Sequence, residues 1–160
     1  MYVRKCFLIV VSAFFIAGLF LQLKDMKSNE KVKIYVKDTR TGKLTVQGTK
    51  IPRTKSEEEK LFWVLKELIS GPTSSHYDRL LGPDIEIQNV VIKGGIAYIS
   101  FGWNIIDSLN REPVLALRSI IKSIFTNFRG LKGVKILIEG IEPVSNYSAF
   151  NLSSTFFKPI

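Results

Sequence analysis

The chain has 160 residues, with 23 Lys and Arg against 14 Asp and Glu, one His and one Cys. One cysteine closes no intramolecular disulfide, and a single histidine beside it falls short of the ligand set of a structural zinc site. The length leaves room for one core plus an appendage, and the net charge of +9 raises the question of an anionic partner.

Residues Cys6 to Leu23, CFLIVVSAFFIAGLFLQL, run 18 positions without a charge, about 27 Å as a helix and enough to cross a bilayer core. Signal peptidase needs small residues at the end of such a run, but here Ala17 and Gly18 lie inside it, followed by Leu19, Phe20 and Leu21. Residues 1–25 are therefore expected to form an uncleaved transmembrane signal anchor that meets lipid through 6–23, with 26–30 as a linker. A lipid-modified cysteine follows an apolar run, whereas Cys6 stands at its start, so lipidation there is not supported.

The charge is uneven: residues 24–55 hold ten basic residues against three acidic, while 56–160 hold eleven of each. A basic arm beside an anchor is expected to lie against anionic headgroups, at ~1 kcal/mol per Lys or Arg near the surface. Comparing Arg4 and Lys5 with Lys24, Lys27, Lys31 and Lys33, the positive-inside bias taken alone favours a cytoplasmic C-terminal domain.

Val32, Ile34 and Val36 alternate with polar neighbours, and the turn signal Thr39-Arg40-Thr41-Gly42 leads to a second run with Leu44 and Val46 in phase, which predicts a β-hairpin. Ser56 with Glu59 three residues on predicts a capping box, and Glu57 and Glu58 suit the positive end of a helix. Leu61, Val64, Leu65, Leu68 and Ile69 share one helical stripe, which Gly71 and Pro72 stop. Ile85 to Phe101 reads as two strands joined at Gly94-Gly95, with a bulge near Asn89 where the apolar phase slips. A second helix is expected from Glu112 and Pro113 to Gly130, burying Val114, Leu117, Ile121, Ile124, Phe125 and Phe128. Val134 to Glu139 is a last strand before Gly140. Residues 145–160 are read as an uncharged tail in which Phe150, Leu152, Phe156 and Phe157 suggest an added strand or a partner contact. The order is β-β-α-β-β-α-β, an α+β sandwich with both helices on one face of a mixed sheet, plus the N-terminal transmembrane helix.

No constellation for catalysis stands out. His76 has no second His, and Ser74 and Ser75 are too close in sequence to form a triad with it, so it is read as a loop residue. Glu57, Glu58 and Glu59 are read as helix-end compensation rather than paired catalytic carboxylates. Neither a cofactor nor a small-molecule substrate is expected. Interaction candidates are Trp63, opposite its helix's apolar stripe, and the flank Arg118, Lys122 and Arg129 with Lys132 just beyond.

Leu68-Ile-Ser-Gly-Pro-Thr73 at a helix end, Ala97-Tyr-Ile-Ser-Phe101 in a hairpin, and Pro113 to Gly133 followed by Val134-Lys-Ile-Leu-Ile-Glu-Gly140 together resemble the GerM domain, known from spore germination and sporulation proteins and from bacterial lipoproteins. The resemblance covers 31–144. It implies a domain without catalytic residues, attached to the bacterial cytoplasmic membrane on its extracytoplasmic side and similar in fold to ring-building modules that stack side by side. A protein partner or homo-oligomer is then expected, meeting helix flanks and an exposed sheet edge such as the first hairpin. The alternative is an α+β nucleic-acid-binding module using the basic arm, which the neutral balance from residue 56 onward disfavours, so no nucleic acid is expected.

Overall fold

Strand β1 (Asn29–Asp38) buries Val32, Ile34 and Val36 on one face, and β2 (Leu44–Pro52) pairs with it antiparallel. The computed structural model describes residues 29–144 and 151–158. The apolar run 6–23 lies outside them, and no helix among the described residues is long and apolar enough to cross a membrane. At the hairpin tip Asp38 Oδ1 accepts from the Thr41 amide at 2.7 Å and the Thr41 hydroxyl at 2.9 Å, while Gly42 takes φ +66°.

Helix α1 (Glu57–Ser70) begins where the sequence predicts: Ser56 is the N-cap and its Oγ accepts the Glu59 amide at 3.1 Å. The reciprocal half of the expected capping box differs, because the Glu59 carboxylate takes the Lys55 amide at 2.8 Å rather than that of Ser56. Gly71 closes the helix, its N–H bonded to the Glu67 carbonyl. Its φ of 81° and ψ of 175° lie in an extended mirror region open only to glycine, not in the left-handed helical well expected for a helix stop. Arg79, on the far side of the two-residue strand β3 (Tyr77–Asp78), reaches back to the Ser70 carbonyl at 2.6 Å and supplies the cation that the helix's own last turn lacks.

Strands β4 (Ile87–Lys93) and β5 (Ile96–Phe101) form the second hairpin, with Gly94 and Gly95 at φ +61° and +80° in the turn and a register shift between Ile87 and Asn89. The helical segment that follows is broken in two. Helix α2 (Ile105–Arg111), absent from the sequence reading, ends at Glu112, which is pushed out of the helical region (φ −135°, ψ 70°) by Pro113; α3 (Pro113–Asn127) then restarts with proline in its first turn. Strand β6 (Gly133–Ile138) runs parallel to β5, and β7 (Phe156–Phe157) adds antiparallel to β6. A two-residue turn at Glu139 and Gly140, both at positive φ, leads from β6 into a bridge between Ile138 and Ile141.

The expectation of one mixed sheet is corrected. There are two: β2-β1-β3, and β4-β5-β6-β7. The reason lies on α3, where Ser119, Ser123 and Asn127 recur once per turn. Ser119 Oγ donates to the Tyr35 carbonyl at 2.5 Å, Ser123 Oγ accepts the Tyr35 amide at 2.9 Å, and Asn127 holds both polar groups of Lys33. With β3 pairing at Lys37 and Asp38, the second edge of β1 is taken and no strand of the other hairpin can join there. Helix α3 also stops at Asn127, short of the expected Gly130, because the Asn127 carboxamide turns toward Lys33 and bonds the Ser123 carbonyl.

One continuous core joins the inner faces of both sheets with α1, α2 and α3. On the second sheet these are Ala97, Ile99 and Phe101 of β5 with Val134, Ile136 and Ile138 of β6. The tail read as uncharged carries Lys158; it also buries Leu152 and contributes β7, while Phe150 lies outside the described residues.

Candidate contact surfaces

The core-facing side of α3 is Ala116, Leu117, Ile120 and Ile124 with Ser119 and Ser123, a face rotated from the expected one. Val114 is left 45 % exposed, and Ile121 and Phe125 are half-buried. Together with Leu117 they line an apolar groove of about 560 Å³ that Phe156 of β7 closes on the other side. Among the described residues every charged side chain lining it is cationic: Arg118, Lys122 and Lys158. Lys122 Nζ lies 5.4 Å from the centre of the Tyr35 ring, a cation–π contact that holds it on the rim.

Two of the four predicted basic candidates, Arg118 and Lys122, thus line one groove. Arg129 and Lys132 sit at its end through their backbones: Lys158 Nζ donates to the Arg129 carbonyl at 3.3 Å, and the Lys158 amide to the Lys132 carbonyl at 2.9 Å. The Lys132 stem packs against Gly95. Phe156 belongs to the tail segment expected to add a strand or meet a partner, and it forms β7; Lys158 was missed as a site residue, since nothing local in the tail says which strand it joins. Trp63 is half-buried against the core, its ring edge-on to Phe62 at 5.9 Å.

A second surface lies at the opposite end of the second sheet. Trp103 is 52 % exposed, Ile141 71 % and Val144 62 %, around a depression of about 190 Å³ that Glu139 shares. Glu139 ties this corner together, its Oε1 accepting the Trp103 amide at 3.1 Å and its Oε2 accepting from Gln88 Nε2 at 2.6 Å. Ser100 continues the network, donating to Gln88 Oε1 and accepting the Gly140 amide.

The titratable groups elsewhere serve the fold. His76 is exposed and its backbone is engaged: its carbonyl accepts the Thr39 amide at 3.0 Å and its amide donates to Ser74 Oγ at 3.3 Å, which docks the α1–β3 loop on the tip of the first hairpin. Lys37 is held above the usual lysine range, chiefly by its hydrogen bond to Glu112 at 2.7 Å. Two hydrogen bonds from Thr41 hold Asp38 below the usual carboxylate range. Among the described residues no three His, Cys, Asp or Glu side chains gather as metal ligands would.

Two sheets and three helices make the described residues a small α+β domain. Residues 33–144 match the family model described as Germane, sporulation and spore germination, and the chain belongs to that family. No curated protein matches. Among solved structures, the first GerMN domain of the sporulation protein GerM from Bacillus subtilis superposes with a TM-score of 0.62 at 21 % identity, over 81 % of this chain and 98 % of that one. The tandem GerMN domains of the same protein give 0.64 at 14 % identity, over 84 % of this chain and 46 % of that one. A putative lipoprotein from Clostridium perfringens gives 0.56 at 22 % identity, over 82 % and 89 %. At these identities the likeness is one of fold.

Proposed function

We propose that this domain is a membrane-tethered, non-catalytic contact module outside the cytoplasmic membrane, docking a protein of an envelope or sporulation-type complex through the Trp103 corner. The observation that carries this reading is the cluster of Trp103, Ile141 and Val144, exposed at the end of the second sheet remote from the α3–β6 connection. An exposed tryptophan among aliphatic side chains is the composition of an interface anchor, and contiguous exposed apolar surface on a small domain marks a contact site. Of the first hairpin, β2 keeps an open edge, while α3 and β3 occupy the other side of β1. Tethering is supported by the uncharged run 6–23 and by the family's sporulation role, and one solved relative is a putative lipoprotein.

The test places a photoreactive amino acid at position 103 of the full chain in native membranes, with position 50 as control. A discrete protein adduct from 103 and none from 50 is expected, and an added Ile141→Asp should abolish it. The domain should also be digested by protease in intact spheroplasts. Protection there, or no adduct at 103, would refute the reading.

A further inference from the structure

The α3–β7 groove and the Trp103 corner lie at opposite ends of the second sheet, and they differ in chemistry. Resting on the tethered reading above, we infer that the groove takes an anionic phospholipid of the adjoining membrane, with an acyl chain along Ile121, Phe125 and Phe156 and the phosphate among Arg118, Lys122 and Lys158. The composition fits an amphiphile with a negative head: an apolar floor, a rim of cations and, among the described residues, no carboxylate in the lining. Its volume of about 560 Å³ is in the range of sites that hold a small ligand rather than a water.

Position selects lipid over an acidic peptide. Helix α3 runs antiparallel to β1, with Glu112 at Lys37, Ser123 at Tyr35 and Asn127 at Lys33. The C-terminal half of the groove, Phe125, Thr126 and Lys158, is therefore at the end of the domain where β1 begins. Asn29 is six residues beyond Leu23, the last of the uncharged run, and six residues span about 21 Å at most. A tether that short keeps the groove mouth near the headgroup layer. The same end carries Lys33, Arg129 and Lys132; among the described residues its carboxylates include Glu30, paired with Lys60, and Glu57 to Glu59 at the start of α1, none of which lines the groove. An acidic helix would match the charges but gives no reason for the groove to sit beside the tether.

The experiment uses the full chain in liposomes that contain a trace of phosphatidylglycerol or phosphatidylcholine with a photoreactive acyl chain, followed by mass-spectrometric mapping. Labelling of residues 114–126 is expected, about fivefold or more above the phosphatidylcholine probe, the effect of a single cation near anionic lipid. Ile121→Asp and Lys122→Glu should each bring it to background while urea unfolding shows the fold intact. Label confined to residues 1–28, equal labelling by both probes, or no response to the substitutions would overturn the inference. So would a discrete protein adduct from a photoreactive residue at 125 in native membranes, which would assign the groove to a partner. Flotation of the same liposomes reads the tether separately. Should the chain fail to float, the tethered reading falls, and binding of water-soluble dihexanoyl phosphatidylglycerol over dihexanoyl phosphatidylcholine still decides the groove.

Discussion

The side chain of Asn127 grips Lys33 by both backbone groups, Oδ1 accepting its N–H at 3.0 Å and Nδ2 donating to its carbonyl at 2.6 Å. A carboxamide here does what a neighbouring strand would do. Ser119 and Ser123 share Tyr35, one at its carbonyl and one at its amide, and the next four helical residues advance about 6 Å, close to the ~6.6 Å that separates Tyr35 from Lys33 along the strand.

Asn127→Ala should therefore cost about 1 kcal/mol, the net worth of hydrogen bonds to partly exposed backbone. Asn127→Asp should cost at least as much, since a carboxylate facing the Lys33 and Ser123 carbonyls keeps the acceptor and loses the donor. Urea unfolding of the domain measures both. If the two variants unfold with the wild type, side chains of α3 do not hold the β1 edge.

At Gly71 two effects coincide. Its backbone is in a region closed to other residues, and an added Cβ would meet Arg79 Nε at 2.7 Å. Because Arg79 is long and exposed it can swing away, at the loss of its bond to the Ser70 carbonyl. Gly71→Ala is expected to cost about 1–3 kcal/mol, mostly backbone strain. In an Arg79→Ala background the cost of Gly71→Ala should fall only slightly. A large fall would show that the guanidinium contact, not φ, requires glycine.

Lys37 and Asp38 give opposite pH dependences. The folded state favours charged Lys37 through its bond to Glu112, aided by the charges of Glu112 and Asp78. That contribution is complete below the ordinary lysine range and disappears as pH rises through the raised pKa. Glu112→Gln should remove it, so the stability gap to wild type narrows at alkaline pH. For Asp38, held down by Thr41, the contribution is present above the ordinary carboxylate range and is lost as pH falls through the lowered pKa. The gap between wild type and Asp38→Asn should close in acid and stay open at neutral pH. Unfolding midpoints across pH read both, and a gap that stays constant would refute the coupling.

How much of this was legible in the sequence depends on whether the deciding contact was local. The Ser56 cap, the Gly71-Pro72 stop, the Gly94-Gly95 turn and the bulge near Asn89 are set by neighbours in the chain, and the structure has all of them. The break at Glu112 is also local, since Pro113 biases its neighbour away from the helical region, yet α2 is only seven residues long, too short for its apolar spacing to stand out as a helical stripe. What pattern could not supply was the second edge of β1. Ser119, Ser123 and Asn127 look like the solvent side of a helix until β1 is placed beside them, and placing it turns Val114, Ile121 and Phe125 toward the surface while Leu117 and Ile124 stay buried as expected. Lys158 and Phe156 depend on a pairing some 24 residues away in sequence, which no local signal specifies.

That rotation can be tested by the cost of removing side chains. An apolar stripe read from the sequence puts Val114 inside and leaves Ile120 unassigned, while the packing against β1 buries Ile120 completely and leaves Val114 45 % exposed. Truncating a fully buried isoleucine to alanine costs ~2–5 kcal/mol, whereas a substitution at an exposed position away from caps and networks stays within about 0.5 kcal/mol. Ile120→Ala should therefore approach the limit of what a small domain tolerates, and Val114→Ala should be nearly silent in urea unfolding. The reverse order would mean that α3 presents Val114, Ile121 and Phe125 to the core. The polar stripe would then face away from Tyr35 and Lys33, the edge of β1 would be open, and the groove that these three residues line would not exist.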